Sequence, residues 1–422
     1  MSLFDARTVP FAFHRARLRF RLAATLFSST GVDAGSALLL RYLQDVGLPD
    51  GGRVLDVGCG HGVLGIVLAA LDERRSVTFV DRDALALEYT SINLEENGLA
   101  SAGHRVLGSL GFDGLPEHEP GPGGEPVDVI VSNLPGKAGE RPLRELVAGA
   151  VRRVRPGGVV GLVVVTPLAE LVASELPAEQ FDELFQKSNR SHTVFIARLA
   201  GDGAPVAADR SDPDRPDLGD GCGAGSTARR RTSFERGIYD RATASFGVGR
   251  ASWTATTVVG IEEFDSLGYG TRQLPRVLRS LPAQRAAVVG PGQGHRALLT
   301  SLGGHDVRSL VSRDLLALRA SARLLSGADR ELPALVHTPV TPDEVLADVK
   351  LLVLHVEDKV HLPWLRSEVE RHLDRSGRRF LVLTGRAPLL GRLEAESLRR
   401  RPGRVVATRT ERGHRALAYR QG

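Results

Sequence analysis

A series of short motifs occurs twice in this chain, in the same order. The stretch RVLDVGCGHGV at 53–63 aligns with RAAVVGPGQGH at 285–295, at a constant offset of 232. Other segments match in the same order: 27–31 with 264–268, 77–87 with 307–318, 127–137 with 349–359, and 192–198 with 414–420. Matches that keep one order predict a duplicated domain, so that the chain is a pseudo-dimer within one polypeptide.

Each copy alternates apolar strands with helices. In the first copy we predict strands at 53–57, 76–80, 127–132, 159–165 and 192–199, with helices at 63–71, 84–97 and 143–154. Such alternation is typical of a doubly wound parallel sheet. The predicted fold class is therefore α/β, with two tandem Rossmann-like domains.

A change in composition separates the two copies. Residues 200–233 are rich in Gly, Asp, Pro and Arg and nearly lack large apolar side chains. Because this segment cannot bury enough apolar surface to offset the entropy of ordering, we predict a flexible linker. The predicted domains are 1–199 and 234–422.

The composition is that of an ordinary globular protein, with 42% hydrophobic and 25% charged residues. No apolar run reaches the length of a membrane span, and the N-terminal segment carries arginines rather than a signal peptide. Only Cys59 and Cys222 are present, which excludes a disulfide framework. No His/Cys cluster has metal-ligand spacing. We expect a cytoplasmic monomer with no membrane contact and no metal.

The two halves carry charge of opposite sign. Residues 1–200 contain 18 Arg and 2 Lys against 24 Asp and Glu, whereas the whole chain has a net charge of +5, so the second half is basic. A basic half favours contact with a polyanion, although a solvated arginine-rich surface has the same composition. Residues 14–21 alternate basic and other side chains, which predicts either a strand with one basic face, suited to an RNA backbone, or a solvated segment.

A glycine-rich loop follows the first predicted strand and opens a helix. Gly58, Gly60 and Gly62 let backbone N–H groups approach a ligand without a Cβ in the way. Asp56 ends the strand before the loop, and Asp81 ends the next strand. A carboxylate at position 56 opposes a pyrophosphate but suits an ammonium group, while Asp81 is placed to accept ribose hydroxyls. The pattern favours S-adenosyl-L-methionine over a dinucleotide as cofactor.

A second motif, SNLPG at 132–136, follows an apolar strand. It falls at the carboxyl end of that strand, where open α/β sheets bind their ligands. The side-chain oxygen of Asn133 and the carbonyl of Leu134 are two acceptors for a nucleophilic amine, and Pro135 fixes the turn. We therefore predict that Asn133, Leu134 and Pro135 orient an amine for methyl transfer, by positioning it.

Together these motifs resemble those of the class I S-adenosylmethionine-dependent methyltransferases. The chain is most similar to the ribosomal RNA guanine-N2 methyltransferases of the small-domain type, through FSSTGVDAGSALLL at 27–40, LDVGCGHGVLG at 55–65, Asp81 and SNLPG. The resemblance covers residues 27–199. It implies two seven-stranded methyltransferase folds, one of them degenerate, with Ser109 and Leu110 lining the adenine. His61 is expected to be exposed beside the cofactor.

Two departures from the family's pattern concern the substrate. The family's turn is Asn-Pro-Pro followed by an aromatic that stacks on the target base, whereas this chain has Leu134 and then Gly136 after Pro135. The ring would have to come from elsewhere, with Phe11, Phe13, Phe27 and Tyr42 as the candidates. The order of the intact and the degenerate copy is also reversed.

The second copy has lost the residues that carry the chemistry. Val288 stands where the first copy has Asp56, Ser312 replaces Asp81, and His355 and Glu357 replace Asn133 and Pro135. We expect this copy to keep the fold without transferring methyl groups. Its predicted role is contact with the substrate, with a purely stabilising remnant as the alternative.

The predicted function is methyl transfer from S-adenosylmethionine to an exocyclic amine of guanine in ribosomal RNA, with RNA or the ribosomal subunit bound through the basic second half. Two alternatives remain open at this stage. One is a methyltransferase that acts on a small molecule or a protein side chain, and the other is a scaffold that binds the cofactor without catalysis.

Overall fold

The computed structural model describes residues 4–100, 102–115, 127–201, 231–326, 331–356 and 361–422. These residues form two seven-stranded sheets and two separate two-stranded hairpins. Within the same ranges, no helix is both long and apolar enough to cross a membrane. Most of the predicted linker, residues 202–230, lies outside the described residues.

The first half begins with a hairpin and continues with alternating strands and helices. Its strands are β1 (Asp5–Phe13), β2 (Ala16–Ala23), β3 (Gly52–Val57), β4 (Arg75–Asp81), β5 (Arg105–Gly108), β6 (Val127–Asn133), β7 (Val154–Val165), β8 (Phe181–Ser188) and β9 (His192–Leu199). Its helices are α1 (Ala34–Val46), α2 (Val63–Leu71), α3 (Ala84–Glu96), α4 (Glu140–Arg153) and α5 (Ala169–Ala173).

The second half has the same plan. Its strands are β10 (Asp240–Val248), β11 (Ala251–Val258), β12 (Arg285–Val289), β13 (Asp306–Ser312), β14 (Ala334–His337), β15 (Leu351–Val356), β16 (Phe380–Arg386), β17 (Gly403–Glu411) and β18 (His414–Gln421). Its helices are α6 (Tyr269–Leu278), α7 (His295–Leu302), α8 (Leu315–Leu325), α9 (Asp343–Asp348), α10 (Leu362–Leu373) and α11 (Ala387–Leu393).

The two large sheets have the same strand order. It is β5-β4-β3-β6-β7-β9-β8 in the first half and β14-β13-β12-β15-β16-β18-β17 in the second. The first five strands of each sheet are parallel, and β9 and β18 run antiparallel to their neighbours. The prediction of an α/β fold with two tandem Rossmann-like domains is confirmed.

The central strands of the first sheet are apolar because both of their faces are covered. Val129, Ile130 and Val131 of β6 are fully buried and divide their side chains between two apolar clusters, one on each face of the sheet. The strand order changes direction between β3 and β6, so their carboxyl ends border a crevice of the kind that binds ligands in open α/β sheets. Asp56 and Asn133 lie at these two strand ends.

The segment with alternating arginines is β2, paired with β1 in a two-stranded sheet. Leu18 and Phe20 of β2 are buried against the first half, whereas Arg15, Arg17 and Arg19 are exposed. The hairpin is fixed to α3 by side-chain amides, since Asn93 accepts a hydrogen bond from the backbone N–H of Arg21 at 2.7 Å. The structure thus shows a strand with one basic face.

The two halves meet through the same segment of each copy. Asp83 and Asp314 form an antiparallel bridge. Arg82 pairs with Asp314 and Arg313 pairs with Asp83, both at 3.4 Å, so the contact has a pseudo-two-fold axis. Beside it lies an apolar cluster drawn from both halves: Leu110, Tyr239, Val258, Ile261, Leu316, Ala317 and Ala320.

Candidate functional site

The glycine loop between β3 and α2 leaves open space at two of its residues. Gly58 and Gly60 have φ angles of 71° and 58°, in the left-handed region that favours glycine, and a Cβ added at either would meet nothing within 4 Å. Gly62 also has a positive φ and is the N-cap of α2. The loop therefore presents bare backbone at the carboxyl edge of the sheet.

Asp56 lies directly beneath this loop. Its Oδ2 atom accepts a hydrogen bond from the backbone N–H of Gly65, at 2.9 Å, in the first turn of α2. The side chain is only 1% exposed, and its Oδ1 atom is buried without a hydrogen-bond partner among the described residues. Burial raises the pKa of Asp56 to about 7, and the nearby Asp81 carboxylate also raises it. The sequence suggested a carboxylate open to the loop, but the structure buries it because one oxygen caps α2.

Asp81 lies at the end of β4, beside the same loop, and is half-buried. Its Oδ2 atom accepts a hydrogen bond from the backbone N–H of Gly60 at 3.0 Å, and its Oδ1 atom accepts one from the N–H of Asp83 at 2.9 Å. Burial raises the pKa of Asp81. Each carboxylate oxygen keeps further acceptor capacity. Asp81 therefore joins the loop to the start of α3.

His61 is not exposed beside the loop, as the sequence analysis expected. It is 5% exposed, and its Nε2 atom accepts a hydrogen bond from the backbone N–H of Ala23 at 3.0 Å. Burial lowers the pKa of His61 to about 4. The expectation was wrong because the hairpin, which the sequence did not place, covers this part of the loop. His61 holds the end of β2 against the glycine loop.

Ser109 and Leu110 follow β5 and are both buried. The hydroxyl of Ser109 donates to the carbonyl oxygens of Gly111 and Asp113, at 2.9 Å and 2.6 Å, so it shapes its own turn. The backbone N–H of Ser109 donates to the carbonyl of Asp81. The Leu110 side chain packs into the apolar cluster between the two halves. The structure brings Ser109 next to Asp81 and directs Leu110 toward the second half.

Asn133 ends β6 with its side chain fixed in one orientation. Its Nδ2 atom donates to the Oδ2 atom of Asp33 at 2.8 Å and to the Oγ atom of Ser36 at 3.0 Å. An ionised carboxylate only accepts hydrogen bonds, so the amide nitrogen must be the atom that faces Asp33. The side-chain oxygen of Asn133 is thereby left as an oriented acceptor.

Sequence reasoning missed Asp33 and Ser36 as site residues. Asp33 is the N-cap of α1, and its Oδ2 atom accepts the backbone N–H of Ser36. An aspartate followed three residues later by serine, before the apolar run at 37–40, is a recognisable helix start. That signal identifies the cap, but the contact with a residue 100 positions away depends on the fold.

The two residues that follow Asn133 differ in exposure. Leu134 is buried in the core and donates its N–H to the carbonyl of Val163 at 2.8 Å, whereas Pro135 is exposed. A Cβ added at Gly136 would lie 3.2 Å from Val165. The turn is thus anchored on β7 and carries no aromatic ring of its own.

In the second half, other residues stand at the positions of Asp56, Asp81 and Asn133. Val288, at the place of Asp56, is fully buried in an apolar cluster. The hydroxyl of Ser312 accepts the N–H of Asp314, as Asp81 accepts that of Asp83. The register of β12 with β15 places His355 where the first half has Asn133. Glu357, the counterpart predicted for Pro135, lies outside the described residues.

A buried arginine closes the second glycine loop. Arg296 is 1% exposed and donates to the carbonyl of Gly290 at 2.8 Å. A Cβ at Gly292 would lie 2.9 Å from its guanidinium, where the equivalent Gly60 has open space. The guanidinium also pairs with Glu262 at 2.6 Å, and Glu262 lies 3.0 Å from His355. This network places the protein's own side chains against the second glycine loop.

Comparison with known families matches residues 17–190 to the methyltransferase small domain. The matched residues include most of β2, the glycine loop with Asp56 and Asp81, and the turn at Asn133. The predicted resemblance to class I methyltransferases is confirmed for the first half. No group of three or more His, Cys, Asp or Glu side chains able to hold a metal occurs among the described residues.

Curated relatives match the methyltransferase small domain over part of their length. The chain is 38% identical over 142 residues to the ribosomal RNA small subunit methyltransferase C of Pseudomonas aeruginosa, which covers 33% of this chain and 39% of that protein. It is 36% identical over 110 residues to the enzyme of the same name from Acinetobacter baylyi, covering 26% and 29%. The chain therefore spans less than two fifths of the curated relatives that it matches.

One solved structure is similar over the whole chain. It is the T. thermophilus 16S rRNA N2 G1207 methyltransferase (RsmC) in complex with AdoMet and guanosine, with a TM-score of 0.63 and 16% identity, covering 99% of this chain and 98% of that chain. At this identity the likeness concerns the fold. Because the likeness covers 99% of this chain, it includes the second half as well as the residues matched to the methyltransferase small domain.

Proposed function

We propose that the protein transfers a methyl group from S-adenosylmethionine to the exocyclic N2 amine of a guanine in small-subunit ribosomal RNA. The observation that carries this proposal is the fixed side chain of Asn133. Asp33 and Ser36 hold its amide nitrogen, so its oxygen is turned toward a substrate that donates N–H groups. The ribosomal RNA enzymes from P. aeruginosa and A. baylyi, which match the first half, support the substrate class.

The residues around the glycine loop fit the chemical groups of S-adenosylmethionine. The buried Oδ1 atom of Asp56 lacks a partner, and a cationic ammonium group nearby would offset the cost of an unpaired carboxylate oxygen. The open backbone at Gly58 and Gly60 leaves room for a ligand, with Gly62 shaping the end of the loop. Asp81 keeps acceptor capacity for ribose hydroxyls. Ser109 and the backbone of Leu110 would border the adenine.

The protein's part in the reaction is mainly the positioning of the amine. Bound S-adenosylmethionine supplies an electrophilic methyl group on its sulfonium. The Asn133 side-chain oxygen and the Leu134 carbonyl would each accept one N–H of the guanine amine, while Pro135 restricts the turn that carries them. Two acceptors hold the nitrogen in a single orientation, and such alignment contributes several kcal/mol to the lowering of a barrier, on the order of 7–11 in favourable cases.

Two basic surfaces support RNA as the partner. Arg17 and Arg19 lie on one face of β2, with their backbones about 6–7 Å apart along the strand, and the exposed Arg15 precedes them in the hairpin turn. The second half carries the excess of positive charge. Lysine and arginine side chains bind the phosphate backbone by releasing its counterions, so binding through these surfaces should weaken as salt rises.

One observation favours a second candidate function. Gly136 follows Pro135, so the turn lacks the aromatic residue that the resemblance led us to expect there. A small molecule or a protein side chain would not require that ring. Transfer of a labelled methyl group distinguishes the candidates, with purified small ribosomal subunits and small-subunit RNA as one set of substrates and a metabolite extract as the other.

For guanine in ribosomal RNA, we expect label in the subunits or the RNA and none in the extract. Asn133→Ala should bind S-adenosylmethionine like the wild type while transfer falls at least about 100-fold, because the amine loses an acceptor. Label in the extract alone would support the second candidate. Cofactor binding without transfer to any substrate, in both proteins, would indicate a scaffold instead.

A further inference from the structure

Phe27 is an unusually exposed aromatic residue. It is 73% exposed, more than any other large hydrophobic side chain among the described residues, and the next, Leu302, is 55% exposed. A single apolar side chain in water needs no explanation by itself. The exposure of Phe27 is informative because this residue lies in the loop that leads to Asp33, which binds Asn133.

Phe27 belongs to the loop at 24–33, which joins β2 to α1 and ends beside Asn133. The second half holds the start of the loop, because Arg313 donates to the Thr25 hydroxyl at 2.7 Å. Arg7 holds its middle through the carbonyl of Thr30, at 3.3 Å. Asp33, the last residue of the loop, binds Asn133 at 2.8 Å. The loop that displays Phe27 is thus fixed at three points, and one of them is the residue that orients Asn133.

The backbone next to Phe27 is held in an uncommon conformation. Ser28 has a φ angle of 62°, in the left-handed region that residues other than glycine rarely adopt. Such residues persist where surrounding contacts over-determine them, and they cluster at ligand-binding sites. The three anchors of the loop supply those contacts here.

The other aromatic candidates are engaged elsewhere. Phe11 stacks on Phe13, with ring centroids 6.4 Å apart, and both pack against the core beneath the hairpin. Tyr42 packs on Phe185 at 5.1 Å. Of the four rings that the sequence offered, the structure leaves Phe27 available to a ligand.

A second exposed apolar side chain lies beside the turn. Val165, at the end of β7, is 39% exposed and would be 3.2 Å from a Cβ at Gly136. Asn133 itself is paired in register with Val163 of the same strand. The acceptors for a base edge therefore have an exposed apolar side chain beside them, suited to the face of a planar ring.

We propose that Phe27 stacks on the target guanine and supplies the aromatic surface that the Asn133 turn lacks. This inference rests on the proposed function and names the residue that selects a planar base. The acceptors at Asn133 and Leu134 engage the edge of the base and leave its faces free. A ring against one face buries apolar surface and restricts the base to the plane in which its amine meets both acceptors.

The experiment compares three variants for methyl transfer to small ribosomal subunits, with kcat and KM determined separately. Phe27→Ala removes the ring, Phe27→Tyr keeps it, and Leu302→Ala is a matched control that removes an exposed apolar side chain from the second half. Calorimetric titration with S-adenosylmethionine measures the cofactor site of each protein independently. Thermal denaturation shows that each is folded.

Phe27→Ala should lower kcat/KM between about five- and 150-fold, as expected for loss of one base–aromatic contact. Phe27→Tyr should stay within about twofold of the wild type, and Leu302→Ala should match it. All variants should bind the cofactor equally. Wild-type kcat/KM in Phe27→Ala would overturn the inference, as would an equal loss in Phe27→Tyr, which would mean that the residue supports only the loop. Absence of transfer by the wild-type protein would instead refute the proposed function, and this inference with it.

Discussion

The carboxylate of Asp33 binds the side-chain amide of Asn133, with 2.8 Å between Oδ2 and Nδ2. The same oxygen accepts the backbone N–H of Ser36 and so caps α1. One carboxylate therefore couples the start of a helix to the orientation of the residue that we propose to hold the substrate amine. The two roles can be separated by mutation.

Asp33→Ala should lower both activity and stability, whereas Asp33→Ser should lower activity alone. Serine caps a helix about as well as aspartate, while alanine costs about 1 kcal/mol. Neither residue provides the carboxylate that fixes Asn133, so kcat should fall about 10- to 100-fold in both variants with cofactor affinity unchanged. Asp45→Ala, on the exposed side of α1, is the control and should change neither property. Wild-type kcat in Asp33→Ser would show that the contact does not orient Asn133.

Binding of S-adenosylmethionine should release a proton at pH 6. Burial raises the pKa of Asp56 to about 7, so the free protein carries a protonated Asp56 at that pH. A cation beside the buried oxygen favours the ionised form, so affinity should increase as pH rises through about 7. Calorimetry at pH 6 in two buffers of different ionisation enthalpy measures the released proton. Asp56→Asn should show no release, and equal release by both proteins would exclude Asp56 as its source.

The same group should affect the stability of the ligand-free protein. The native state holds the Asp56 proton more tightly than the unfolded chain, so the raised pKa stabilises the fold at low pH, and this contribution is lost as pH rises through about 7. Asp83, whose pKa burial also raises to about 7, acts in the same direction. The buried His61, whose pKa is lowered, acts in the opposite direction, so the contribution of Asp56 appears as a difference between two proteins. As the pH rises from 5 to 8, the denaturation midpoint of Asp56→Asn should rise relative to that of the wild type. A steeper fall in the variant would contradict this assignment.

The protein should bind one S-adenosylmethionine per chain. Arg296 fills the second glycine loop, and Val288 leaves it without a carboxylate. Calorimetric titration measures the stoichiometry directly. Asp81→Ala should weaken binding at least about tenfold because ribose acceptors are lost, whereas the matched change Ser312→Ala in the second half should have no effect. Two cofactors per chain would show that the second crevice opens.

Gly65→Ala should destabilise the first half by overpacking. A Cβ at Gly65 would clash with the ring of Phe79, which is fully buried in β4. Extra carbon atoms in a packed core cost about 1–3 kcal/mol. The melting temperature should therefore fall by several degrees, about 2–4 °C for each kcal/mol in a domain of this size. Gly201→Ala, which meets nothing within 4 Å, is the control; an equal change in both variants would mean that the contact with Phe79 is relieved at no cost.

The sequence predicted the parts of the site that depend on local pattern. The glycine loop, the strand ends that carry Asp56, Asp81 and Asn133, and the duplicated sheet all follow from apolar runs and turn residues close together in the chain. The offset of 232 between the copies correctly placed Val288 opposite Asp56 because the first strand and its loop have the same length in both halves.

Long-range contacts escaped the sequence analysis. The hairpin covers His61 because Asn93 of α3 and Asn97, the C-cap of that helix, bind the β2 backbone, over separations of 72 and 78 residues. Asp56 is buried, and one of its carboxylate oxygens accepts the backbone N–H of Gly65 in α2. Local periodicity reveals which side chains are polar, but their partners depend on how the elements pack.

Nucleoside mass spectrometry of small-subunit ribosomal RNA tests the central claim most directly. The RNA is taken from cells of the source organism with the gene intact, with the gene deleted, and with the deletion complemented by the wild-type or the Asn133→Ala form. We predict that one N2-methylguanosine is lost on deletion, restored by the wild type and not restored by the variant. An N2-methylguanosine content that is the same with and without the gene would contradict the account.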